Sequence, residues 1–109
     1  MSGTNVDLSG YKPGQPYKGT TSSTTNEVDV LSGFPSWCRR VSIYADAASR
    51  MGHPASGAKN NTDTLTDSEA HKPIPATTWL EEDYTGGNIY VSSASTSSGY
   101  TFVLYEGRK

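Results

Sequence analysis

The chain has 109 residues, 33% of them hydrophobic and 18% charged, with a formal charge of −2. That length allows one domain with a modest core, and a mildly acidic chain lacks the basic footprint of a nucleic-acid binder. It has neither an apolar run of about eighteen residues nor a basic-then-apolar start, which argues against a membrane span or secretory leader and for synthesis in a cytosol.

Residues 1–26 are rich in Gly, Pro, Ser and Thr, including the run Thr20-Thr21-Ser22-Ser23-Thr24-Thr25. Such a segment cannot by itself bury enough apolar surface to offset its ordering entropy. It is expected to form an extended N-terminal arm. Val6, Leu8, Tyr11 and Tyr17 are spaced along it as anchors, for a neighbouring subunit or for the arm's own domain.

The domain is expected to span 27–109. Val28, Val30 and Leu31 form a short strand that Ser32-Gly33-Phe34-Pro35 ends, and Trp37 follows as a core or edge anchor. From Cys38 to Ala45 the chain alternates, with Val41, Ile43 and Ala45 on one face and Arg40, Ser42 and Tyr44 on the other. Cys38, the single cysteine, rules out an internal disulfide and reads as a small buried residue at the strand start.

Residues 46–72 read as a long polar loop with no more than one helical turn, at Asp46–Met51. The loop carries both histidines, His53 and His71. Its stretch Asn60–Asp67 faintly resembles a calcium loop, but Leu65 stands where an oxygen ligand is required, so no metal and no cofactor are expected. Pro73-Ile74-Pro75 then runs extended. Thr77, Trp79 and Glu81 alternate with Thr78, Leu80 and Glu82 in a further strand.

The final stretch, Thr85–Arg108, reads as a β-hairpin with a flexible tip at Ala94–Gly99. Ile89 and Val91 oppose Tyr90, while Tyr100, Phe102 and Leu104 oppose Thr101, Val103 and Tyr105. Both faces carry groups worth burying. Ser and Thr make up about a quarter of the chain and no helical period is sustained, so the fold class is all-β: a small antiparallel β-sandwich or jelly-roll-like barrel.

Nothing in the motifs points to catalysis. There is no nucleophile elbow, phosphate-cradling loop, HExxH helix or Cys-His pairing, so the chain reads as a non-enzyme.

The order CRRVSIYAD, a polar loop, PIPATTWLEED and GGNIYVSSASTSSGYTFVLYEGR resembles the small β-sandwich structural proteins of tailed bacteriophages. The resemblance covers Cys38–Arg108. It implies a virion component on the outer surface of the capsid, such as a decoration or cement protein, with a tail or head-to-tail accessory as the neighbouring alternative. The partners expected are the major capsid protein and further copies of the chain, as a dimer or trimer. The arm residues together with Tyr44, Tyr90, Val103 and Tyr105 are the expected contacts. A rival reading is a carbohydrate-binding adhesion module with Trp37, Trp79 and Tyr84 as its stacking platform.

Overall fold

A computed structural model describes residues 3–53, 56 and 58–108. The first two residues of the expected arm, Pro54, Ala55 and Gly57 of the expected loop, and Lys109 lie outside the described residues. Nine strands run in chain order: β1 (Asn5–Asp7), β2 (Pro16–Thr20), β3 (Asp29–Ser32), β4 (Arg40–Ala45), β5 (Ser49–Gly52), β6 (Lys72–Ile74), β7 (Leu80–Asp83), β8 (Ile89–Ser93) and β9 (Gly99–Tyr105). They form a five-stranded sheet in the order β1-β3-β8-β5-β6 and a four-stranded sheet in the order β2-β9-β4-β7. The two sheets pack as an all-β sandwich. Every pairing is antiparallel except β1 with β3, which is parallel.

Alternation builds the layer between the sheets. Val41, Ile43 and Ala45 of β4 and Tyr100, Phe102 and Leu104 of β9 face Leu31, Met51, Ile74, Ile89 and Val91 of the other sheet, all of them buried. Each aliphatic or aromatic side chain fully enclosed in this way contributes about 1.5–3 kcal/mol. Cys38 joins the same core, and burial pushes its thiol above its ordinary pKa.

The segment expected as an arm is part of both sheets. Val6 and Leu8 lie in the core and β1 extends the five-stranded sheet, while β2 pairs with β9 along Pro16↔Val103 to Thr20↔Gly99. The segment therefore folds back on its own domain, where two short strands gain ladder hydrogen bonds and a few apolar contacts that offset their ordering cost. Gly19 is opposite Tyr100, and a Cβ there would stand 2.7 Å from the tyrosine ring.

Two local expectations are corrected. Asp46–Met51 is not a helical turn: Ser49–Gly52 forms β5, an interior strand between β8 and β6, with Met51 in the core. The expected terminal hairpin is an arch between layers, because β8 and β9 belong to different sheets. Ile89 and Val91 enter the core from one side, and Tyr100, Phe102 and Leu104 from the other. Ser93, Ser95 and Ser98 brace the turn: Ser93 Oγ donates to Ala48 O at 3.0 Å, the Ser95 amide donates to Ser93 Oγ at 3.1 Å, and the Ser98 amide donates to Thr21 Oγ1 at 2.9 Å.

The rest of the polar loop closes the back of the five-stranded sheet. Leu65 and Ala58 cover Val28, Val30 and Tyr90 in a second, smaller core. Leu65, the residue that interrupts the calcium-loop pattern, is thus a fully buried plug. Asp63 Oδ2 turns the chain there by accepting the amides of Lys59 at 2.7 Å and Asn60 at 3.1 Å.

Candidate functional site

The outer face of the four-stranded sheet has no layer above it among the described residues. Its registers align three rows: Tyr105 beside Arg40 beside Asp83, Val103 beside Ser42 beside Glu81, and Thr101 beside Tyr44. Trp79 precedes β7 and shares the face of Glu81, which brings its ring to 5.4 Å from that of Tyr44. Large groups occupy the two ends and a small one, Ser42, the middle. The result is a groove of about 330 Å³ lined by Ser42, Trp79, Glu81 and Tyr105.

Trp79 is 51% exposed, the one large hydrophobic side chain among the described residues that stands in solvent. At the opposite end the Arg40 guanidinium lies 4.1 Å above the Tyr105 ring and its Nη1 donates to Glu81 Oε1 at 2.8 Å. Stacking and ion pairing together fix this arginine in one place. The groove floor is Ser42, only 2% exposed, whose Oγ has no hydrogen-bond partner among the described residues; Arg40 Nε is likewise buried and unpaired.

The expected contact residues separate into distinct groups. Tyr44 and Tyr105 flank the groove, and Val103 lies on the same face, buried among its neighbours. Tyr90 is on the back of the five-stranded sheet, buried with Ala58 and Leu65. Val6 and Leu8 are core residues. Tyr11 and Tyr17 are half-buried and meet edge to face with centroids 6.3 Å apart, and Tyr17 packs in turn on Tyr100 at 6.0 Å. Burial together with the nearby Asp29 charge pushes the Tyr17 phenol above its ordinary pKa.

Trp37, Trp79 and Tyr84 do not form a platform. Trp37 packs against the core, and Tyr84 stacks on Phe34 at 4.4 Å with its hydroxyl donating to Gly87 O at 2.6 Å. Trp79 stands with Tyr44 instead. The sequence reading put Arg40, Ser42 and Tyr44 on one face of a strand and Trp79 with Glu81 on one face of another, without joining them in a site. Their signal was there: Arg40, Ser42 and Tyr44 alternate on one face of β4, and a serine between two large groups marks a depression.

A second surface feature is the free edge of β2. The Thr21 amide donates to Ser98 O at 2.8 Å, and bonded pairs alternate along an antiparallel ladder. Tyr17 and Gly19 therefore turn their main-chain groups towards β9, whereas Lys18 and Thr20 turn theirs outward. Pro16, Lys18 and Thr20 are exposed, and no other strand among the described residues covers this edge.

On the far side Glu82 faces inward from β7 and is buried, contacting His53 Nε2 and, at 2.9 Å, Lys72 Nζ. Glu82 holds the Lys72 ammonium above its ordinary pKa. This trio ties β7 to the β5–β6 side of the other sheet. Among the described residues no three potential metal ligands come together, and no helix is long and apolar enough to cross a membrane. No protein-family model, curated protein or solved structure matches this chain.

Proposed function

We propose that this protein is a structural component of a bacteriophage virion, a non-enzymatic decoration or cement protein on the outer surface of the head. In this reading it holds the major capsid protein, and further copies of itself in a dimer or trimer, through the open edge of β2. The observation that carries the reading is that edge: a five-residue strand whose outward main-chain groups at Lys18 and Thr20 are unpaired among the described residues, with Tyr11 and Tyr17 packed beside it. Natural sheets blunt their edges unless something pairs with them. The other edges are shorter: β1 and β6 have three residues each, with Pro73 inside β6, and β7 has four, among them Glu81, Glu82 and Asp83. Strand addition to β2 supplies main-chain hydrogen bonds, and the tyrosines supply apolar contact. The resemblance to small β-sandwich phage proteins over Cys38–Arg108 supports the same reading.

Lys18→Pro tests it directly. The substitution removes an outward N–H and leaves the ladder to β9 intact, the placement at which edge strands tolerate proline. The expected result is an unchanged melting temperature with loss of co-sedimentation on shells lacking the protein. A folded K18P protein that still binds shells fully overturns docking at this edge. Copy number in purified particles tests the virion role itself: a simple ratio to the major shell protein is expected, and a count tens of times lower moves the protein to the tail or a vertex.

A further inference from the structure

The groove on the four-stranded sheet is a separate surface from the β2 edge and presents a different chemistry. Its elements are an exposed indole, a polar floor and a charge pair that neutralises itself. Trp79 and Tyr44 form an aromatic wall at one end, and Tyr105 under Arg40 forms the other. Between them Ser42 Oγ is buried and unpaired among the described residues, as is Arg40 Nε. Buried polar groups are nearly always satisfied, and each orphan calls for an explanation. Two orphans beside one groove, under an aromatic ring left in water, point to a ligand that supplies hydroxyls and an apolar face at once.

We infer that this groove is a binding site for a neutral glycan, and that a pyranose ring lies against the Trp79 indole with its hydroxyls directed to Ser42, Glu81 and Arg40. The C–H face of a pyranose is apolar and flat, matching the ring, and its rim of hydroxyls both donates and accepts. Arg40 and Glu81 use one nitrogen and one oxygen on each other at 2.8 Å. Each retains further hydrogen-bonding capacity: donors on the guanidinium, acceptors on the carboxylate. Ser42 does both. The pair's net charge is zero, so the groove favours neither a phosphorylated or sulfated ligand nor an acidic or basic peptide. An uncharged polyol is the class that fits the exposed ring and the pair's remaining donors and acceptors. Aromatic walls with a few convergent polar atoms are the usual make-up of small-ligand sites. The groove's volume of about 330 Å³ is that of a short, open site for a sugar unit within a chain.

Titration of the folded protein with cellohexaose, xylohexaose, maltohexaose and chitohexaose, read by the two tryptophan indole N–H resonances in a nitrogen–proton correlation spectrum, tests the inference. Trp79→Phe assigns its own peak. The expected result is a saturable shift of the Trp79 indole with at least one of the four sugars while the Trp37 indole stays still. Trp79→Ala should weaken binding about tenfold, as loss of a stacking ring does, and Ser42→Ala should weaken it while leaving the sheet folded. Absence of a saturable shift with all four sugars overturns the inference. So does binding that survives both substitutions, or a Trp79 peak that moves with protein concentration alone, which would make the groove a contact between copies. Because β2 is not involved, K18P protein should bind the sugar unchanged, and failure of shell docking leaves this result standing.

Discussion

Asp29 is fully enclosed, with Oδ2 accepting the Tyr100 hydroxyl at 2.7 Å and Oδ1 accepting the Thr4 amide at 2.8 Å. Burial pushes its carboxyl above the ordinary value of 3.8, against the opposing pull of those two hydrogen bonds, and the neighbouring carboxyl helps drive the buried Tyr100 phenol well above its own ordinary value. A raised carboxyl pKa makes the folded state bind the proton more tightly. Its contribution to stability is therefore fully present below 3.8 and is lost as pH rises through the folded value. Exposed Asp67 has the opposite sign: the Arg50 hydrogen bond lowers its pKa, and its contribution is lost as pH falls. Comparing wild type with Asp29→Asn isolates the buried group, since asparagine keeps an acceptor for Thr4 and offers an amide to the Tyr100 oxygen. Urea unfolding should show the variant gaining stability relative to wild type from about pH 3 to about pH 7. Asp29→Ala leaves both partners unsatisfied and should cost about 2–4 kcal/mol. A flat difference across pH would show that Asp29 is as charged in the folded state as in the unfolded one.

Strands with two distinct faces were readable in the sequence, and β4, β8 and β9 have the faces that their alternation implies. Ser49–Gly52 gives no such signal: its SRMG has low strand propensity and becomes β5 because β8 and β6 offer it partners on both sides. The arch between β8 and β9 was equally hidden. A small-residue turn between two β-prone runs fits either a hairpin or a change of layer, and only the shared core decides between them. The groove was half legible, its β4 residues from period two and its Trp79 misassigned to a platform because pairing across strands is not written locally. The loop over the five-stranded sheet makes a prediction of its own. Leu65→Ala should cost about 2–4 kcal/mol through the cavity it opens, and hydrogen exchange should speed up at 58–65 and Val28–Val30. Protection that falls only in the loop, with no change in the unfolding midpoint, would mean that the second core contributes little to the fold.

Because β1 and β2 belong to different sheets, residues 3–26 hold both layers. Removing 1–26 takes away two strands together with Val6 and Leu8, a loss comparable to the whole stability of a small domain, about 5–15 kcal/mol. The truncated chain should show no cooperative thermal transition by circular dichroism, and a two-state melt would show that the remaining seven strands suffice. Connections add to this interdependence. Apart from β5 and β6, no strand pairs with its neighbour in sequence, so nearly every pairing waits for a distant segment and folding should be slow, in the range of milliseconds to seconds. The last two strands are also interior ones: β8 joins β3 to β5, and β9 joins β2 to β4. On a ribosome, neither sheet has its centre until Ile89–Tyr105 has left the exit tunnel. A chain cut short before Ile89 is then a set of unjoined edges open to proteolysis.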